Sequence, residues 1–335
     1  MSSAIRPCES KKPGALLVVA EDAISVVREF ELLSGELSPG SLIDLDPFVY
    51  QGDPLTALNL NYEEVTFPTP LGSMGAWHVP AEGNAWVVFV HGKSGPLRES
   101  LRSLSALHDA GIDVLVINYR NDVDMPADPS GYYRQGLTEW EDLEAAVLFA
   151  ETQDATNVAI LGSSMGGAIA TSFLRQSPNA NDVSAVVLDA PMLDFAATVD
   201  HQANKVSVAG LQVPWSLRFV ATTLSAWRFD IEWDELDYTT QAAEYDTLIL
   251  IFHGTADDNV PIEPSRRLAT LRPDIVELVE TQGAGHVRSW NVDPEAYEAR
   301  LSPSYRSRRC NAEFGYLTTP GRGPQSAGKW WPCPG

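Results

Sequence analysis

A chain of 335 residues, 44% hydrophobic and 20% charged, can bury one large core, enough for an α/β domain of about 230–250 residues with flanking segments. Its formal charge of −22 argues against nucleic acid and against anionic membrane surfaces, which both require a basic face. Cys8, Cys310 and Cys333 all lie in the flanks, so no disulfide framework or zinc spacing organises the fold, and a reducing, cytoplasmic setting is expected.

Taken in order, residues 1–13 are polar and are expected to be disordered. Residues 14–33 place Leu16, Val19, Ala23, Val26, Phe30 and Leu33 at a helical period, which predicts an amphipathic helix packed on the domain or loosely on a membrane. The apolar run at 15–20 is too short to span a bilayer or to serve as the core of a signal peptide. Residues 34–61 read as an irregular lead-in, so 1–61 is set apart as an N-terminal flank.

From residue 62 a regular alternation begins. Residues 62–69 and 75–79 predict two strands joined by a turn at 70–73. Apolar runs at 86–90 and 113–117 predict buried strands, with helical spacing at 99–110 between them and again at 137–151. Residues 158–161 and 185–188 are two further strands. Strands that are almost continuously apolar and alternate with helices predict a mostly parallel sheet covered on both faces. The alternation breaks at 192–245, a stretch with Trp215, Trp227 and Trp233 that is read as a helical lid inserted between two sheet strands. Strands resume at 247–252 and 275–279. Residues 301–335 turn basic and rich in Pro and Gly, and are read as a disordered or adventitious tail, with a basic interaction tail as the alternative.

The chemistry centres on Gly162-Ser163-Ser164-Met165-Gly166, a G-x-S-x-G pattern between a strand and a helix. Such a turn lifts the serine hydroxyl above the sheet edge, and the glycines two residues away on either side avoid collisions with neighbouring elements. The Met165 N–H, at the start of the helix, would face a developing oxyanion. A serine hydroxyl needs a base, and the base needs an orienting acid. Asp257 follows the strand at 247–252 and His286 follows the last strand, so Ser164, Asp257 and His286 stand at the ends of three parallel strands, in the order expected of a hydrolase of this kind. Asp258 and Asp189 also end or follow strands and stay open as alternative acids. His91 and His253 read as structural histidines at strand ends. Lys93-Ser94 does not make a phosphate loop, because Val87 stands where the required glycine would be.

Four motifs together carry a resemblance: Val88-Phe89-Val90-His91-Gly92, Gly162-Ser163-Ser164-Met165-Gly166-Gly167, His253-Gly254-Thr255-Ala256-Asp257 with Val260-Pro261, and Gly285-His286. Over about residues 62–300 the chain resembles the α/β-hydrolase superfamily, and within it the serine-aminopeptidase-type bacterial hydrolases. The resemblance implies Ser164 as nucleophile, Asp257 as acid, His286 as base, and an oxyanion hole made by the N–H groups of Met165 and Lys93. It implies no metal and no organic cofactor. The expected activity is hydrolysis of a carboxylic ester, thioester or amide of a small, mainly apolar acyl group. Aminopeptidase activity is the alternative, with Glu232, Asp234, Glu235 and Asp237 as candidates to hold a substrate ammonium. A non-catalytic binding module on the same fold is the third reading.

Overall fold

The computed structural model describes residues 48–301 except 209 and 210, together with residues 4–7, 18–21, 26–28, 30–34, 36 and 38. One eight-stranded sheet contains β1 (Glu63–Thr69), β2 (Gly72–Val79), β3 (Ala85–Val90), β4 (Ile112–Ile117), β5 (Asn157–Ser163), β6 (Val183–Asp189), β7 (Leu248–Gly254) and β8 (Val276–Thr281). The helices are α1 (Pro54–Leu58), α2 (Leu101–Asp109), α3 (Trp140–Thr152), α4 (Met165–Gln176), α5 (Phe195–Ala203), α6 (Trp215–Phe229), α7 (Glu263–Leu271), α8 (Ser289–Val292) and α9 (Pro294–Leu301).

The spatial order is β8-β7-β6-β5-β3-β4-β2-β1. Strand β2 is antiparallel to both its neighbours, and the other pairings are parallel. Parallel neighbours need crossovers, and α2, α3, α4 and α7 supply them. The inner strands are mostly apolar because both faces are covered: every residue of β4 is buried, as is all of β5 after Asn157, with Asp113 and Ser163 the polar side chains among them. Edge strand β1 instead exposes Glu63 and Glu64, charges that discourage edge-to-edge pairing. Strand β3 lies between β4 and β5, so the winding reverses there. That switch point opens a crevice outside the carboxyl ends of β3 and β5, where a parallel sheet places its ligands.

The predicted strands and crossover helices are all present, with boundaries shifted by a few residues. Helix α3 begins at Trp140 rather than 137 because the buried Glu139 carboxylate accepts the backbone N–H groups of Arg134 and Gly136, at 2.6 and 2.8 Å, and holds the preceding turn out of the helix. Three expectations are corrected or left aside. First, within 14–33 the described residues form short strands, Val18–Glu21 paired with Val26–Arg28, and Phe30–Ser34 paired with Ala4–Pro7, not an amphipathic helix. Pairs of adjacent valines at 18–19 and 26–27 favour extended backbone, a preference that a helical period alone does not weigh. Second, the end of the supposed flank belongs to the domain. Asp53 caps α1 through its side chain, and Val49, Tyr50, Leu58 and Leu60 pack against the core. Third, the basic tail at 302–335 lies outside the described residues.

Between β6 and β7 the chain forms α5, a short hairpin of Ser207–Val208 with Leu211–Gln212, α6 and two 3-10 turns. The amide of Gln202 at the end of α5 donates to the carbonyls of Asp258 and Asn259 at 3.0 and 2.7 Å. The Phe229 carbonyl at the end of α6 accepts from Arg134 Nη1 at 2.9 Å. The insertion thus spans from the loop after β7 to the loop before α3.

Candidate active site

Ser164 follows β5 directly and has φ 51° and ψ −112°, a left-handed conformation that non-glycine residues seldom adopt. Its N–H donates to the Asp189 carbonyl at 2.9 Å, and its own carbonyl accepts from Gly167 and Met192 at 2.9 and 3.0 Å. These bonds fix the strained turn from three sides. The flanking glycines are required by close approach. A Cβ on Gly162 would lie 2.5 Å from the Gly166 carbonyl oxygen, and one on Gly166 would lie 2.1 Å from that of Val90. Helix α4 is buried from Met165 through Leu174, so it anchors the turn at the centre of the molecule.

The three residues predicted from sequence come together. Ser164 Oγ is 2.9 Å from His286 Nε2, and His286 Nδ1 is 2.8 Å from Asp257 Oδ2. A carboxylate can only accept, so Nδ1 carries the proton and Nε2 is left free to accept from the serine hydroxyl. The other Asp257 oxygen accepts the backbone N–H groups of Asn259 and Val260, both at 2.9 Å. His253, fully buried, lies with Nε2 3.4 Å from Asp257 Oδ2 and Nδ1 2.9 Å from Ser265 Oγ. Burial alone would raise the Asp257 pKa. Hydrogen bonds from His253, His286 and the Val260 N–H outweigh it and hold the carboxyl well below the usual carboxylate range.

The alternative acids are not in position. Asp189 is buried and accepts from the Tyr297 hydroxyl at 3.2 Å, and its burial raises its pKa, the opposite of what an orienting carboxylate needs. Asp258 is exposed, and its carbonyl is held by Gln202. His91 and His253 are both fully buried and fully engaged, as read from sequence. His91 stacks on Tyr119, with centroids 4.6 Å apart, and its Nε2 lies 3.0 Å from Asp122.

Two residues that position the site were not singled out in the sequence. Glu99, buried at the start of the helical stretch after β3, accepts from Ser163 Oγ at 2.5 Å with one oxygen and from the Gly92 N–H at 3.1 Å with the other. It ties the Ser164 turn to the loop after β3, where a Cβ on Gly92 would stand 3.3 Å from Ser164 Cβ. Arg102 of α2 donates to the Val287 carbonyl and, at 3.3 Å, to Asn291 Oδ1, and so braces the loop that carries His286. Only their helical spacing was visible. A charge on the inner face of a predicted helix was the one available signal.

Residues 81–230 match the family model described as serine aminopeptidase, S33. An uncharacterized protein of Mycobacterium tuberculosis, Rv2307c, is 28% identical over 235 residues, covering 68% of this chain and 71% of that protein. Among solved structures, the Pyrococcus furiosus esterase Pf2001 superposes with a TM-score of 0.59 at 20% identity, over 78% of this chain and 98% of that one. A puromycin-hydrolyzing peptidase of M. tuberculosis superposes with a TM-score of 0.54 at 19% identity, over 72% of this chain and 38% of that one. The chain has the α/β-hydrolase fold.

The site loops stand at the carboxyl ends of the strands, and a buried charge cluster braces the neighbouring loop after β4 against α3. Arg120, just past β4, donates to Asp142 at 2.7 and 2.9 Å and to Glu141 at 2.8 Å, and lies 3.4 Å from Asp128. Breaking a buried pair of this kind costs about 3–5 kcal/mol. Among the described residues, no group of three or more His, Cys, Asp or Glu could hold a metal ion, and no helix is long and apolar enough to cross a membrane.

Proposed function

We propose that this α/β hydrolase is a serine hydrolase that cleaves carboxylic esters of small, mainly apolar acyl groups through an acyl-enzyme. The observation that carries this reading is the continuous chain from Ser164 Oγ through His286 to Asp257, with contacts of 2.9 and 2.8 Å. His286 takes the hydroxyl proton as Ser164 Oγ attacks the carbonyl carbon, then returns it to the leaving alkoxide as the ester bond breaks. Water, deprotonated by the same imidazole, attacks the acyl-enzyme and releases the acid. Asp257 holds the imidazole tautomer and offsets the imidazolium charge.

The oxyanion donors in this reading are the N–H groups of Met165 and Lys93. Met165 opens α4, where helix geometry leaves its N–H without an acceptor inside the helix. The Gly92 N–H is already taken by Glu99, which leaves the next N–H of that loop, on Lys93, to face the oxyanion. Each such donor is worth about 2.7–4 kcal/mol of barrier. The insertion containing α5 and α6 serves as the lid in this proposal.

Aminopeptidase activity is the second reading, favoured by the serine aminopeptidase family match over 81–230. Against it, Asp237 is paired with Arg267 at 3.0 Å, while Glu232, Asp234 and Glu235 are exposed to solvent. None of the four forms an enclosed anionic pocket for a substrate ammonium.

The test is hydrolysis of p-nitrophenyl esters from acetate to palmitate beside aminoacyl p-nitroanilides, by the wild type and Ser164→Ala. Ester turnover that drops about 10⁴-fold or more in the variant supports the proposal. Turnover of anilides alone would favour the peptidase, and no turnover of either by folded protein would sink both.

A further inference from the structure

Helix α6 is amphipathic the wrong way round for a helix that packs on its own domain. Arg218, Thr222, Ser225 and Ala226 are its more sheltered positions, and Arg218 pairs with Asp200 of α5 at 3.3 Å and with Asn204. The outward side carries Leu217, Val220, Leu224 and Trp227, exposed by 60, 51, 57 and 82%. Their spacing of three, four and three residues puts them in one line along the helix, the seam spacing of two packed helices. Together these four side chains present on the order of 500 Å² of accessible surface. Two such faces in contact bury about 1,000 Å² in all, the lower end of a specific interface.

We infer that α6 is the interface of a two-fold homodimer, packed antiparallel against α6 of a second copy. An axis passing near position 222 sets Leu217 against the second copy's Trp227 and Val220 against the second copy's Leu224, so large meets small along a self-complementary seam. Charge selects this occupant. The chain carries a formal charge of −22, yet has no Asp or Glu between Asp200 and Asp230. Two copies meet here without bringing carboxylates together. Antiparallel packing keeps the two Arg228 side chains about 18 Å apart along the helix axis, each over its own chain's Phe229 ring at 5.3 Å. A lipid surface fits less well. Arg218 is already paired with Asp200, which leaves Arg228 as the cation of the helix for anionic headgroups, on a strongly acidic protein.

Sedimentation equilibrium of the full chain across the micromolar range tests the assembly, beside flotation with phosphatidylcholine vesicles. The wild type is expected at twice the monomer mass. Leu224→Asp and Trp227→Ser are each expected to weaken self-association about 100-fold or more while keeping the wild-type circular dichroism spectrum and melting transition. The control Leu271→Asp, at an exposed apolar position on α7, leaves the dimer intact. A monomeric wild type overturns the inference, whether or not it floats with vesicles. So does a dimer that both α6 substitutions leave unchanged. If one variant fails to fold, the other decides.

Discussion

The strain at Ser164 is the most local cost the fold carries for its site. A non-glycine residue at φ 51° costs on the order of 1–3 kcal/mol, and the surrounding bonds to Asp189, Gly167 and Met192 hold it there. Ser164→Gly and Ser164→Ala both lack the hydroxyl and differ mainly in how well they tolerate this backbone. Chemical denaturation should find the glycine variant about 1 kcal/mol more stable than the alanine variant. Asp257 sets a second expectation. Its folded pKa lies below the unfolded value of about 3.9, so its ionised form adds stability that is complete above that value and is lost as pH falls further through the folded pKa. Melting curves from about pH 5 to pH 2 should therefore fall less steeply for Asp257→Asn than for the wild type. Equal slopes would mean that the carboxylate is not held by His253, His286 and Val260 as described.

At the scale of elements, the Ser164 turn depends on the end of β3 approaching the start of α4 closely enough to exclude any side chain at Gly166. Its missing Cβ would meet the Val90 carbonyl at 2.1 Å, backbone that cannot swing aside. Gly166→Ala should cost about 3 kcal/mol in urea unfolding and depress turnover, because relief requires β3 and α4 to separate. A neutral result would show that the packing of β3 against α4 is looser than these contacts imply. The strands themselves were legible from their apolar runs, since burial on both faces leaves little room for polar residues in β3, β4 or β5. The bracing by Glu99 and Arg120 was not legible. A buried charge is defined by partners that lie far off in sequence, such as Glu99 with Ser163 or Arg120 with Asp142. Nothing in the local pattern distinguishes it from a solvated one.

For the whole molecule, the excess of 45 acidic over 23 basic residues is a self-repulsion that the folded state must carry. Raising NaCl shortens the screening length from about 30 Å at 0.01 M to about 3 Å at 1 M. The melting temperature should rise by a few degrees over that range, as measured by calorimetry. A fall would mean that attractive pairs such as Arg266–Glu280, at 2.7 Å, outweigh the repulsion. The same charge makes the acid-free α6 face stand out as a place where a second molecule can approach.

The sequence by itself determined the sheet, the crossovers, the G-x-S-x-G turn and the positions of Ser164 and His286 just past strand ends. Each depends on local features: apolar runs, glycine spacing, and position after a strand that has to end at one edge of the sheet. Tertiary structure alone decided which acid meets His286, since Asp189, Asp257 and Asp258 share the same local signature and only Asp257 lies 2.8 Å from the imidazole. It also decided the fate of the insertion. Trp215 and Trp227, placed by the sequence in a stretch read as a lid, are exposed, while Trp233 stacks on Phe195. The physical reason is common to both. Helical period and residue type fix which face of a segment is apolar, but not what that face will meet.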